Sequence, residues 1–325
     1  MYNCEVQLIT VSLLFERINI MNNPKVSIVI LNWNTCEDTI ECIESLKKID
    51  YRNYEIIIVD NASSGDDVKI LQDRFGDYVH IIANGRNEGF AGGCNIGMHY
   101  ALEKGTDYIL LLNNDTIVDA QFLSELVKVA EGDNAIGITG PKIYYYRYPN
   151  RLQSVGGKMN WWLGKRTMCG WDEEDTGQYD ALAERDFVIG TSLLVKKIVI
   201  DKVSFLDNVN FVYSFEDVDY CTRAKRAGFK IVYVPESKIW HKYRASFSKL
   251  SQYEETDKLI KNNSGTNNYK YFYRLFRKHC PPVLFIFPFL GNMAITSLPG
   301  QFVSLAWRRE WQTIKAGIWK RIGKL

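Results

Sequence analysis

The stretch Asp107 to Asp119, DYILLLNNDTIVD, constrains the fold more than any other part of this chain. Its apolar run Tyr108-Ile109-Leu110-Leu111-Leu112 has the length and composition of a strand buried on both faces. The run stops abruptly at Asn113-Asn114-Asp115, so a core strand delivers amide, carbonyl and carboxylate oxygens to its C-terminal edge. In open α/β sheets, ligands bind at that edge. Oxygen donors beside one carboxylate suit a hard divalent cation that also holds phosphates. Taken alone, Asn-Asn-Asp-Thr is equally an ordinary turn.

The preceding residues repeat the same plan. Val26 to Leu31 is a β-rich run ending in Asn32-Trp33-Asn34-Thr35, with a helical segment from Glu37 to Lys48. Glu55 to Val59 runs into Asp60-Asn61-Ala62-Ser63-Ser64-Gly65, and an amphipathic stretch follows from Asp66 to Phe75. Two strand-loop-helix units in succession predict a parallel sheet. A short third strand, Val79 to Ala83, leads into NGRNEGFAGGCNIG, residues 84–97, and a helix towards Lys104. The polar strand ends, Asn32 and Asn34, Asp60 and Asn61, Asn87, and Asn113 to Asp115, should therefore share one sheet edge. That is the layout of a nucleotide site, in which Asp60 would accept from a base imide or a ribose hydroxyl; Asp60-Asn61 also suits a βα-turn cap.

A dinucleotide-binding domain would carry G-x-G-x-x-G directly after its first strand. Here that position reads Asn-Trp-Asn-Thr and the glycines come after the third strand, which argues against NAD or FAD. Gly89, Gly92, Gly93 and Gly97 can bring backbone close to a ligand, and the following helix N-terminus favours phosphate oxygens. Their alternative use is close helix packing.

Further along, Ala120 to Glu131 reads as a helix and Ala135 to Thr139 as a strand ending at Gly140-Pro141. Residues 144–184 have no long period and read as an irregular excursion able to cover a substrate. Phe187 to Val195 returns to strand character, with Gly190 and Thr191 as a pocket wall. Ser214-Phe215-Glu216-Asp217-Val218-Asp219 then opens a helix through Arg226. Ser214 and Asp217 fit a capping-box-like pattern, and Glu216, Asp219 and Arg223 share a face. A carboxylate at a helix start is kept ionised by the dipole, as a general base must be. Ile231 to Val234 is a last strand ending at Pro235, followed by Trp240-His241-Lys242. His241 gains interest only if the fold brings it to Asp115.

The formal net charge of +2 and the absence of an early basic stripe interleaved with aromatics exclude nucleic acid as an expected partner. Seven cysteines without a C-x-x-C pair read as reduced thiols in a cytosolic compartment. Val6 to Leu14 lacks the basic flank and cleavage site of a signal peptide.

The set VSIVILNWN, VDNASSG, NEGFAGGCNIG, LLLNND and FEDVDYCTRAKRAG, with a Trp-His pair after it, resembles family 2 glycosyltransferases, and within them the rhamnosyltransferase-like members. The match in order and spacing covers about residues 25–245. The resemblance implies an α/β fold of GT-A type, a Rossmann-like, mostly parallel sheet flanked by helices. It also implies a dTDP-, UDP- or GDP-linked sugar donor, a divalent metal (Mg or Mn) and inversion at the anomeric carbon. On this likeness Asp60 reads the donor's base or ribose, with Asn32, Asn34, Asn61, Asn87, Gly89, Asn95, Asn113 and Asn114 on the donor side. Asp115 sits at the metal-binding position of a D-x-D motif and His241 completes the coordination. Asp217 matches the catalytic base, with Glu216 beside it, and Gly190, Thr191 and Trp240 lie on the acceptor side. One departure is Asn113, which replaces the first Asp of D-x-D and leaves the metal one charge fewer.

Tyr269 to Lys278 is aromatic and basic, and Val283 to Trp307 carries no formally charged side chain. Pro288, Gly291, Pro299 and Gly300 interrupt that segment, and basic residues flank both ends. This predicts a re-entrant or interfacial hairpin with a basic tail on the cytoplasmic membrane face, suited to a lipid-linked acceptor. A buried helical subdomain or homodimer interface is the alternative. The expected organisation is an N-terminal extension over residues 1–24, a glycosyltransferase domain over 25–260 and a C-terminal helical, membrane-associating region over 261–325. Two rival functions stand beside a transferase that builds cell-surface polysaccharide: a sugar nucleotidyltransferase, and a silent nucleotide-sugar-binding or scaffold subunit.

Overall fold

The structure, a computed structural model, describes residues 23–243 and 266–280. Within them, residues 23–160, 166–243 and 266–279 form one compact unit. Its parallel half contains β1 (Val26–Asn32), β2 (Tyr54–Asp60), β3 (His80–Ala83) and β4 (Tyr108–Asn113), ordered β3-β2-β1-β4. The helices α1 (Cys36–Leu46), α2 (Asp67–Phe75) and α3 (Gly89–Glu103) make the crossovers, because parallel neighbours need a long connection. β4 is buried along its whole apolar run, since β1 flanks one side and a later strand the other. Fully burying each such side chain contributes roughly 1.5–3 kcal/mol, so this run anchors the sheet.

After β4 come β5 (Thr116–Val118), α4 (Phe122–Gly132), β6 (Ile136–Tyr145), β7 (Tyr148–Ser154), β8 (Gly157–Asn160), β9 (Lys165–Met168) and β10 (Ala183–Arg185). β11 (Ser192–Lys196), α5 (Lys197–Val203), α6 (Glu216–Arg226), β12 (Lys230–His241) and α7 (Thr266–His279) complete the described elements. The sheet continues past β4 as β11-β6-β12-β10, with β11 antiparallel to β4 and β12 parallel to β6. β7 pairs with β6, β5 with β12, and β8 with β9 in a small separate ribbon.

Two strands are longer than the sequence predicts, and in each a proline falls where the ladder is irregular. β6 passes through Pro141 to Tyr145, and β12 passes through Pro235 to His241. The β6–β12 register shifts between Val234 and Lys238, and the β11–β6 register ends at Thr139. A missing proline N–H is tolerated at such a discontinuity. The extension of β12 carries Trp240 and His241 onto the sheet, where His241 pairs with Thr116 of β5. The segment read as an irregular excursion contains β7 to β10, and it is pinned to β6 by charge. Lys142 Nζ, buried, lies 2.9 Å from Asp175 and 2.6 Å from Asp180. Tyr144 donates its hydroxyl to the same Asp175.

The glycines of α3 serve packing. A Cβ at Gly93 would stand 2.3 Å from Leu31, and one at Gly97 would stand 2.4 Å from Val29. The helix therefore lies against β1 at a distance that any larger residue would forbid. Of the region predicted as an N-terminal extension (residues 1–24), residues 1–22 lie outside the described residues, as does the predicted membrane hairpin (residues 283–307). Among the described residues, no helix is long and apolar enough to cross a membrane.

Candidate active site

Strand register brings the predicted polar ends to one edge. Asn32 is opposite Asp60, Leu31 is opposite Asn113, and the Asn113 amide donates to Thr191 O at 2.9 Å. At the β1–β2 end, Asp60 is buried and accepts from Asn32 Nδ2 (2.7 Å), Ser63 Oγ (2.6 Å) and Ser63 N (2.9 Å). Asn34 Oδ1 accepts from the amide and hydroxyl of Ser64. Asn34 and Ala62 both adopt positive φ, at 55° and 64°. For Ala62 that is a strained conformation, which persists where surrounding contacts over-determine it.

Several asparagines expected to meet the donor instead hold the scaffold. Asn61 donates to Asn87 Oδ1 and Gly89 O and accepts from Asn84 Nδ2 and Glu88 N. Both ends of its amide are used to fold residues 84–89, and Asn87 also accepts from Gly89 N. Asn95 makes a two-way clasp with the Leu206 backbone, at 2.9 and 3.0 Å. Asn114 Nδ2 donates to Thr35 and Thr39 of the α1 start. Gly89, at φ 75°, lies against Val212, whose carbonyl accepts from Ala91 N in the first turn of α3. Two amides of that helix start, Gly89 N and Ala91 N, are thus bonded within the chain itself. Asn95 also lines a groove of about 660 Å³ with His99, Phe205 and Arg223, which none of Asp115, His241, Glu216 and Asp217 lines.

Asn113, Asp115 and His241 do converge. His241 Nε2 is 2.9 Å from Asp115 Oδ1 and 3.4 Å from Asn113 Nδ2. Burial works against the Asp115 charge, yet the His241 imidazole beside it holds its carboxyl below the usual range. Asn113 Oδ1 is buried and has no hydrogen-bond partner. A buried acceptor left empty is costly; the Nδ2 end of this carboxamide faces His241, and with its two ends exchanged the oxygen would face a cation held there. No three His, Cys, Asp or Glu side chains converge among the described residues. The set is therefore one carboxylate, one imidazole and one amide oxygen, which leaves positions for phosphate oxygens and water, as Mg²⁺ and Mn²⁺ sites commonly do.

The carboxylate pair sits on the first turn of α6. The residue before it, Phe215, is the N-cap in the left-handed conformation, so the expected capping by Ser214 is not what starts this helix. Arg166 lies over the Phe215 ring at 4.6 Å and the Phe272 ring is 5.8 Å away, which fixes that strained turn. Asp217, partly exposed, accepts from Gly190 N at 2.9 Å and Val218 N at 2.7 Å. Glu216 is buried with Oε2 unpartnered. Burial pushes the Glu216 carboxyl up to about 8, with the Asp217 charge adding to it. Burial also raises Asp217, but its backbone donors and Arg166 oppose the rise. Burial thus drives both carboxyls of the pair upward and the two titrate together, while the backbone donors that favour charge, Gly190 N and Val218 N, fall on Asp217.

Of the shared helical face, Asp219 and Arg223 pair as expected at 2.8 Å, while Glu216 turns away towards Gly190, whose Cβ position lies 3.6 Å from Glu216 Oε1. Gly190 and Thr191 connect the two halves of the site: Gly190 N binds Asp217 and Thr191 O binds the Asn113 amide. Trp240 corrects an expectation. It stacks on Tyr144 and donates to Pro149 O, and as the strand neighbour of His241 it points to the opposite sheet face. Sequence reasoning missed Gln153, Arg166 and the α7 contacts, because each is distant in sequence from any motif.

A sequence model of glycosyl transferase family 2 matches residues 27–183, and one of glycosyl transferase family group 2 matches residues 108–307. The dTDP-rhamnosyl transferase RfbF of Shigella flexneri is 26% identical over 227 residues, 67% of this chain and 69% of that protein. The low-salt glycan biosynthesis hexosyltransferase Agl10 of Haloferax volcanii is 26% identical over 63% of each chain. Among solved structures, GalNAc-T7 with UDP, GalNAc and Mn²⁺ superposes with TM-score 0.57 at 19% identity, over 68% of this chain and 43% of that one. S. aureus TarS 1-349 in complex with UDP-GlcNAc gives TM-score 0.50 at 13% identity, over 66% and 57%. These two likenesses concern the fold, which is of GT-A type. The chain spans less than two thirds of Agl10 and of both solved structures. The matched segments, together with an E-D pair and an N-N-D strand end meeting at one sheet edge, place the chain in glycosyltransferase family 2.

Proposed function

We propose that this protein is an inverting glycosyltransferase that moves a sugar from a nucleoside-diphosphate donor to a hydroxyl of a glycan or lipid-linked acceptor. The observation that carries the reading is the short backbone link between the two halves of the site. Asp217 is held by Gly190, and the next residue, Thr191, is bonded to Asn113, two residues before Asp115. A base and a diphosphate-side cluster are thereby fixed to one rigid segment. Such fixed geometry is what converts binding into an effectively unimolecular reaction.

The edge formed by Asn32, Asn34 and Asp60 is the proposed wall for the donor nucleoside. Asn113, Asp115 and His241 would hold a divalent cation, which when bound would neutralise charge on the departing diphosphate. Asp217, ionised and partly exposed, accepts the proton of the acceptor hydroxyl as its oxygen attacks the anomeric carbon. The new C–O bond forms on the face opposite the breaking C–O bond, whose electron pair leaves on the nucleoside diphosphate, so the anomeric centre inverts. The Gly190 and Val218 amides favour the anion on Asp217, and a proton on the neighbouring Glu216 would remove the repulsion between the two carboxyls. Arg166 lowers the charge cost of both carboxyls.

The similarity to RfbF favours a dTDP-linked rhamnose as donor, and polysaccharide or glycolipid assembly at the cytoplasmic membrane face as the setting. The uncharged segment 283–307 with its basic flanks supports that setting from sequence alone. Incubating the full-length protein with dTDP-rhamnose and with UDP- and GDP-sugars, in the presence of Mn²⁺, tests the reading. Release of nucleoside diphosphate from one of them is expected. No release from any, by protein that shifts its melting temperature with none, would remove the reading.

A further inference from the structure

We infer that Gln153 is a positioning residue that fixes the tautomer and aim of His241 as a cation ligand. The inference rests on the proposed cation site at Asn113, Asp115 and His241. Gln153 is 2% exposed, and its Oε1 lies 2.8 Å from His241 Nδ1. An amide oxygen only accepts, so Nδ1 carries the hydrogen. In the neutral ring the Nε2 lone pair then points at Asp115 Oδ1, 2.9 Å away. Two lone pairs at that distance repel, and either a proton on Nε2, which holds the Asp115 carboxyl low, or a cation in its place removes the repulsion. The neighbouring Asn113 carboxamide turns its Nδ2 to His241 Nε2 at 3.4 Å, and its Oδ1 is buried and without a partner, so exchanging its two ends would bring an oxygen to the same place. A cation there would take Asp115 Oδ1 and His241 Nε2, and Gln153 is the residue that makes His241 a donor to it.

The backbone supports the assignment independently. In the β6–β7 pair, Ile143 is opposite Ser154 and Tyr144 is opposite Leu152. Gln153 is the extra residue of that register shift, without an opposite number. A bulge of this kind re-aims one side chain, and bulges are common next to active sites. β6 in turn pairs with β12, with His241 opposite Tyr145, so the bulge and the histidine are fixed on neighbouring parts of one sheet. Outer partners of ligating histidines raise ligand basicity and orient the ring, and their loss typically weakens metal affinity about 10- to 100-fold.

The test is a Mn²⁺ titration of the full-length protein followed by electron paramagnetic resonance of free Mn²⁺, with and without dTDP, UDP or GDP. Gln153→Leu, which removes the acceptor at similar size, should weaken Mn²⁺ binding roughly 10- to 100-fold. Gln153→Glu, which accepts and cannot donate, should bind at least as tightly as wild type. Melting temperatures of both variants separate this from general damage, because burying a glutamate would not rescue a packing defect. Wild-type affinity in Gln153→Leu, or loss of affinity in a folded Gln153→Glu, overturns the inference. Absence of Mn²⁺ binding by the wild type under every condition overturns the cation site itself, a different outcome from failure of Gln153 alone.

Discussion

Glu216→Gln should flatten the pH dependence of stability, and the size of the effect follows from the environment of that one carboxyl. Burial next to Asp217 pushes Glu216 up to about 8 from an ordinary 4.5. Between those two values the folded protein binds a proton that the unfolded chain has already released, so stability falls as pH rises. Each pH unit in that window removes about 1.4 kcal/mol. From pH 5.5 to 7.5 the wild type therefore loses on the order of 2–3 kcal/mol through this group. A domain of about 200 residues shifts its melting temperature by roughly 2–4 °C per kcal/mol. The wild-type melting temperature should thus fall by about 5–10 °C more than that of Glu216→Gln over this range. Both proteins would be melted in matched buffers from pH 5.5 to 8.5, and only the change in their difference is read, which cancels the titrating groups outside the Glu216–Asp217 pair. Parallel curves would refute the assignment of the shared proton to this pair.

Two further outcomes follow from packing and charge. Asp219 is fully buried and takes Arg223 Nε at 2.8 Å, with Lys278 Nζ and His279 Nε2 each at 2.7 Å, so it joins α7 to the helix carrying Asp217. Asp219→Ala leaves Arg223 without its carboxylate and His279 Nε2 without this partner, with only Lys278 keeping a second carboxylate in Asp207; it should cost about 3–5 kcal/mol, read as a drop of roughly 10 °C in melting temperature, and a drop under about 2 °C would contradict it. Gly97→Ala would drive a methyl to 2.4 Å from Val29 and should destabilise by about 1–3 kcal/mol. A chemical denaturation midpoint unchanged from wild type would show that α3 can lift off the sheet without cost.

The parallel half of the fold was legible because its strands are buried on both faces and end in abrupt polar breaks, and those breaks do meet at one edge. The antiparallel half was harder to read. Pro141 and Pro235 looked like strand ends, yet each sits where the β6–β12 ladder is already broken, so its missing N–H is tolerated there. Asparagine identity was misleading for a related reason. Asn61 and Asn95 occupy the same kinds of position as Asn113, but both ends of their carboxamides bond neighbouring residues, and Asn114 donates its Nδ2 to Thr35 and Thr39. Only coordinates distinguish an amide whose oxygen is unpartnered from one that is satisfied. Glu216 and Asp217 were visible as a pair, whereas which of them keeps the proton depends on Gly190, Val218 and Arg166. Gln153 lies in Leu-Gln-Ser, which carries no local signal, and its role arises from a register shift between two strands.

The most direct test of the central claim is to compare wild type and Asp217→Asn for donor binding and for transfer with the same nucleotide-sugar. The carboxamide keeps the size of the side chain and removes the base. Donor affinity should stay within about threefold, while turnover falls about 10²- to 10⁴-fold, the usual contribution of a general base. The product formed by wild type should have the anomeric configuration opposite to that of the donor. Near-normal turnover by Asp217→Asn, or a product that retains the donor's configuration, would contradict the account.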